Sequence, residues 1–179
     1  PVAATIDFFE IATTGDAVDF GDLAVSVGDA ASFDSSTRGV AVGGYSNPAN
    51  TNTMQYVTIA SQGNAVDYGD ATNALDVTGG TSNSIRGLKG GGPGVSNVID
   101  YITITNGGTA LDFGDLATAR TELDATSNAH GGLSDGYQGT KPTHFAGGGR
   151  GLFMGGEEPG YVNKIETITI ATLGNSNDF

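Results

Sequence analysis

Carboxylates three residues apart recur along this chain: Asp19 with Asp22, Asp67 with Asp70, and Asp112 with Asp115. Such hard oxygen ligands suit Ca2+, but that ion takes roughly six to eight oxygens, so one pair is a minor part of a site. His130 and His144 lie on either side of Asp135; these residue types ligate transition metals, and they read equally well as polar loop residues. With no Cys, the chain has no disulfide, no thiolate metal site and no Cys nucleophile. The runs GGGPG at 90–94 and GGGRG at 147–151 lack the Lys-Ser/Thr with which a P-loop holds phosphate. No Ser-His-Asp arrangement stands out. We therefore expect no enzyme, no catalytic or cofactor-binding residue and no resident metal, with Ca2+ at the acid pairs the one ion to consider.

Composition narrows the partners. Twenty Asp and Glu face seven Lys and Arg, a net charge of −13, and no basic patch exists to meet nucleic acid or an anionic membrane. No apolar run approaches the roughly 20 residues that would insert in a bilayer. Thirty Gly and 37 % apolar residues in 179 predict short strands separated by many turns. The first residue is Pro rather than Met, which suits a processed chain or a piece of a longer one.

The acid pairs belong to a phrase that returns: VDFGDLA at 18–24, VDYGDAT at 66–72, LDFGDLA at 111–117, and NDF at 177–179. Asp-Phe-Gly is also a magnesium-binding motif of protein kinases, but no strand lysine behind a glycine-rich loop and no His-Arg-Asp loop accompanies it. Tandem copies point instead to something every unit needs. Phe20, Tyr68, Phe113 and Phe179 fall in register, and Phe8, Tyr56, Tyr101 and Thr167 each stand 12 residues earlier. The text between is a β-branched run, a Gly-centred turn and a second short strand, which predicts a hairpin. A fixed length follows, because an insertion would flip every side chain to the other face. The aromatic ring is expected in the core between units, with Gly21, Gly69 and Gly114 permitting a turn or bulge.

A second phrase alternates with the first: RGVAVGG at 38–44, RGLKGGG at 86–92 and RGLFMGG at 150–156. Phe20 to Arg38 and Tyr68 to Arg86 are both 18 residues, whereas Phe113 to Arg150 is 37, so the third unit carries an insert near 130–148. The period of 48, then 45, with four short strands in each unit, predicts an all-β chain: a β-propeller with four-stranded blades, or part of one. Divided at the arginines, it gives a partial blade at 1–37, blades at 38–85 and 86–149, and a partial blade at 150–179. Four hairpins against three Arg-Gly strands would leave a ring unclosed, so we expect either a fragment of a longer chain or closure by a neighbouring subunit. Of the four Arg, Arg38, Arg86 and Arg150 share one repeat position. Each should fork onto a carboxylate or backbone carbonyls, and we expect an Asp of the Asp-Phe-Gly turn.

A strand ending in Gly-Gly, a variable loop and an aromatic-bearing strand resemble kelch-type repeats, although the Trp usual in those blades is absent. NVIDYITITNGGTALDFGDLATAR at 97–120 and RGLFMGG at 150–156 are more similar still to tandem repeats of structural proteins of tailed bacteriophages. That resemblance implies a non-enzymatic virion component, in a tail fibre, baseplate or head fibre, giving a rigid surface to host or subunit contacts. Its partners would be other virion proteins or copies of itself, and a host-surface glycan or protein. Tyr137, Lys141, His144 and Phe145 in the insert are the candidate contact residues, since inserted loops on rigid scaffolds commonly bind. The alternatives are a secreted or cell-surface bacterial adhesin or filament protein, and a carbohydrate-active propeller enzyme.

Overall fold

The computed structural model describes residues 2–129 and 149–179. The insert, with Tyr137, Lys141, His144, Phe145, His130 and Asp135, lies outside them. All regular structure among the described residues is β-strand: β1 Ala3–Phe8, β2 Val18–Val27, β3 Ala31–Asp34, β4 Arg38–Val42, β5 Thr53–Thr58, β6 Val66–Asp70 and β7 Gly79–Ser82, followed by β8 Arg86–Gly90, β9 Ser96–Thr103, β10 Leu111–Arg120, β11 Asp124–Ser127, β12 Arg150–Met154, β13 Ile165–Thr169 and β14 Asn177–Asp178.

The strands form four antiparallel sheets, each laid out in chain order. Sheet 1 is β1–β2, sheet 2 is β3 to β6, sheet 3 is β7 to β10 and sheet 4 is β11 to β14. Counted by sheets, the chain divides before Ala31, Gly79 and Asp124, so the short strand ahead of each Arg-Gly joins the sheet that follows it. Short connections between sequential strands give this meander directly.

The 12-residue spacing has a plain physical cause. The first three hairpins each carry two rings face to edge or tilted across the strand pair: Phe8 and Phe20 at 5.9 Å, Tyr56 and Tyr68 at 4.8 Å, Tyr101 and Phe113 at 5.8 Å between centroids. The second ring is also the extra residue of a bulge. Gln55 pairs with Asp67 and Met54 with Gly69, leaving Tyr68 between, and Phe20 and Phe113 sit the same way in β2 and β10. The bulge needs the next residue at φ +147°, +115° and +148° at Gly21, Gly69 and Gly114, a region that costs other residues strain.

Sheets pack face to face around two apolar clusters. Between sheets 2 and 3, Phe33, Val40, Met54 and Tyr68 meet Ile102, Ile104 and Ala110. Between sheets 3 and 4, Leu88, Ile99 and Phe113 meet Phe153, Ile168 and Ile170. Sheets covered on both faces account for strands that are apolar on both.

Candidate functional site

Two places concentrate polar side chains: the joints between sheets, and a cleft at their first strands.

The Asp-aromatic-Gly-Asp phrase is the joint. The carbonyl of its aromatic residue accepts the N–H of a glycine in the next sheet's hairpin loop: Gly63 N–H to Phe20 O, 2.9 Å, Gly108 N–H to Tyr68 O, 2.8 Å, and Gly174 N–H to Phe113 O, 3.0 Å. The carbonyl of its second Asp accepts the amide two residues further on, from Ala65 to Asp22, Ala110 to Asp70 and Ser176 to Asp115. Loop and phrase approach so closely that a Cβ at Gly69 would collide with the Gly108 carbonyl, and one at Gly21 or Gly114 with that of Gly63 or Gly174. The acid pairs are woven into this backbone: Asp67 and Asp112 accept the Gly69 and Gly114 N–H through Oδ1. Among the described residues no three His, Asp or Glu are grouped to hold a metal ion. Phe20, Tyr68 and Phe113 are buried.

Two arginines depart from expectation. Arg38 and Arg86 do not pair with an Asp; each reaches across to backbone carbonyls at the end of the next sheet's third strand. Arg38 Nη1 donates to Ile104 O at 2.8 Å and Thr105 O at 2.9 Å, and Arg86 Nη1 to Ala171 O at 2.8 Å and Ile170 O at 3.3 Å. The guanidinium lies over the first ring of its own hairpin, 4.6 Å from Tyr56 for Arg38 and 5.0 Å from Tyr101 for Arg86. Asp67 and Asp112 serve their own turns, and strand-end carbonyls left over from the ladder are the acceptors that Arg38 and Arg86 meet. Arg150 occupies the same position on β12 and is exposed.

Sequence reasoning missed the acids and amide beneath each joint. The residue before Tyr56, Tyr101 and Thr167 is Gln55, Asp100 and Glu166, all buried. Gln55 grips Val25 of sheet 1 with both ends of its amide, at 2.8 and 2.9 Å. Asp100 accepts from Thr72, which follows sheet 2, and lies 3.2 Å from the buried Lys89 ammonium. Burial holds that ammonium below its ordinary value, and the neighbouring Asp100 partly offsets this. Glu166 accepts the Ala117 and Thr118 N–H of sheet 3 and the Ser176 hydroxyl. Arg120 Nη1 stands 3.0 Å from Glu166 but out of line for a hydrogen bond, while Nη2 donates to Phe153 O. The signal was present as a polar residue in one register of apolar strands: Asp7, Gln55, Asp100 and Glu166.

The cleft, about 550 Å3, lies where β3, β7 and β11 run side by side. Ser32, Asp34, Thr81, Ser82, Thr126 and Ser127 give it a hydroxyl-rich wall. Ser127 Oγ donates to Ser82 O at 2.7 Å, and Asp34 N–H donates to Ser82 Oγ at 3.3 Å, so the walls are tied to one another. Asp34 is open to solvent on one side, yet the walls bury enough of it to push its carboxyl above the ordinary value. Among the described residues that line the cleft, Asp34 is the one acid.

No family model matches this chain, and no curated protein does either.

Proposed function

We propose that this chain is a non-enzymatic structural protein of a bacteriophage virion, a tail-fibre, baseplate-associated or head-fibre component. Its four sheets would be kelch-like blades of a β-propeller or of part of one. One observation carries the scaffold reading. Most of the polar residues that recur in register, Asp67 and Asp112 of the Asp-aromatic-Gly-Asp phrase, Arg38 and Arg86, and the buried Gln55, Asp100 and Glu166, are bonded from sheet to sheet or within the turn. Side chains so committed stiffen the contact between sheets, as a scaffold requires. The meander order and the side-by-side first strands favour the propeller, whose blades are four-stranded sheets around a central channel. The virion setting rests on the similarity of the repeat text to tailed-phage structural repeats. On this reading the insert residues Tyr137, Lys141, His144 and Phe145 contact a host-surface glycan or protein.

Peptide mass spectrometry of gradient-purified virions tests it. The chain should be present in fixed stoichiometry to known coat proteins. Its absence from particles, together with its recovery on a bacterial surface, would favour the adhesin reading, and hydrolysis of a polysaccharide would favour the enzyme.

A further inference from the structure

One asparagine in this sequence is followed by glycine: Asn106, before Gly107, in the hairpin loop between β9 and β10. Asparagine is thermolabile because the next residue's backbone nitrogen can attack its side-chain amide, and a glycine there has no Cβ to hinder the approach. Asn106 is exposed, and among the described residues its Oδ1 accepts from the Thr105 hydroxyl alone, at 3.2 Å. Other asparagines are held more firmly. Asn64 and Asn175, in the loops of sheets 2 and 4, accept the Asp22 and Asp115 N–H, and the buried Asn83 accepts those of Ile85 and Arg86. Counted back from Gly63, Gly108 and Gly174, the place of Asn106 is taken by Ser61 in sheet 2 and Thr172 in sheet 4. The two flanks of Asn106 are fixed to sheet 2. Arg38 holds Thr105 O at 2.9 Å, Gly108 N–H donates to Tyr68 O at 2.8 Å, and Ala110 N–H to Asp70 O at 2.7 Å.

We propose that Asn106 is a site of spontaneous deamidation, and that its isoaspartate product loosens the joint of sheet 2 with sheet 3 while the other joints stay closed. The Gly107 N–H lets go of Thr103 O and gives its proton to hydroxide, and the nitrogen attacks Asn106 Cγ. The N–Cγ bond forms, the Cγ–Nδ2 bond breaks, and ammonia leaves with a proton from water. Water then opens the cyclic imide. Cleavage at Cγ gives aspartate, which adds a charge and keeps the backbone length. Cleavage at the main-chain carbonyl gives isoaspartate, which routes the backbone through Cβ and lengthens it by one methylene. The joint leaves no slack for that atom: Gly69 approaches the Gly108 carbonyl so closely that even a Cβ would collide. A longer loop therefore lifts Gly108 and Ala110 from Tyr68 and Asp70. This goes beyond the scaffold reading and does not depend on where the scaffold is used.

Ageing the whole chain in mildly alkaline buffer at body temperature tests it. Peptide mapping, with fragmentation that separates isoaspartate from aspartate, should show Asn106 converted ahead of every other asparagine and mostly to isoaspartate. On the aged chain, amide exchange at Gly108 and Ala110 should quicken about tenfold or more, as the loss of one or two backbone hydrogen bonds implies, with Gly63 and Gly174 unchanged. Asn106→Ser, the residue type sheet 2 carries at that place, should age without the change. Freshly made Asn106→Asp should exchange as unaged wild type does, since it adds the charge without the methylene. Asn106 intact while other asparagines convert, or isoaspartate formed with no change at Gly108 and Ala110, would overturn the proposal. Fast exchange at Gly108 already in the fresh chain would overturn it through the joint rather than the chemistry. Any of these results could coincide with the chain's presence in virions, so the two readings fail separately.

Discussion

At the scale of single residues, the decisive groups are ions held under the joints. Arg120 and Glu166 are both buried, and removing one partner of such a pair leaves an uncompensated charge. Glu166→Gln also keeps only one oxygen for the Ala117, Thr118 and Ser176 donors. It should lose about 3–5 kcal/mol, read as a lower urea midpoint. Lys89 gives a pH signature. Its folded value is lowered by burial from 10.5, so in the window between the two values the unfolded chain binds more protons than the folded one. Stability therefore rises with pH through that window, and below it both states are charged and the unfavourable contribution is constant. Lys89→Met should abolish the alkaline rise in urea-denaturation series, which wild type should show. These residues were the least legible in the sequence. Nothing in a polar residue on an apolar strand says whether it faces solvent or a neighbouring sheet's amides, and the in-register recurrence of Asp7, Gln55, Asp100 and Glu166 shows its meaning only once the sheets are packed.

At the scale of elements, the hairpin and its bulge were legible because they are local. A 12-residue spacing, a central glycine and β-branched runs fix a register without reference to the rest of the fold. The expected Arg–Asp pairing failed for the opposite reason: the choice between a carboxylate and a strand-end carbonyl depends on how far sheet n+1 is displaced from sheet n, which no local pattern records. The joint can be tested at a glycine, with a second glycine as control, and at an arginine. Gly69→Ala forces a Cβ into the Gly108 carbonyl at a positive φ, and should cost about 1–3 kcal/mol or more in thermal unfolding. Gly160→Ala, with open space around it and no such φ, should leave the melting temperature within about a degree, as surface substitutions do. Arg86→Lys loses the planar stack on Tyr101 and the shared reach to Ile170 and Ala171. It should lower stability by about 1–2 kcal/mol, a few degrees in melting temperature.

At the scale of the whole molecule, each sheet is linked to the next through the same backbone bonds, so the chain is held as a series of repeated contacts rather than about one central core. The all-β class and the four-stranded units were readable from the period alone. The cleft between β3, β7 and β11 was not, because those strands, such as Gly79–Ser82, are short and weakly patterned and are brought together only by the joints. The central claim is that the Asp-aromatic-Gly-Asp phrase exists to lock one sheet onto the next. Native-state amide hydrogen exchange tests it most directly, at the N–H groups of Gly63, Ala65, Gly108, Ala110, Gly174 and Ser176. These loop amides should exchange as slowly as the buried strand amides of Ile99 and Val40, opening only with the sheets they join. Exchange at the rate of open loops such as the one around Gly15 would mean that the joints are not closed in solution, and would contradict the account.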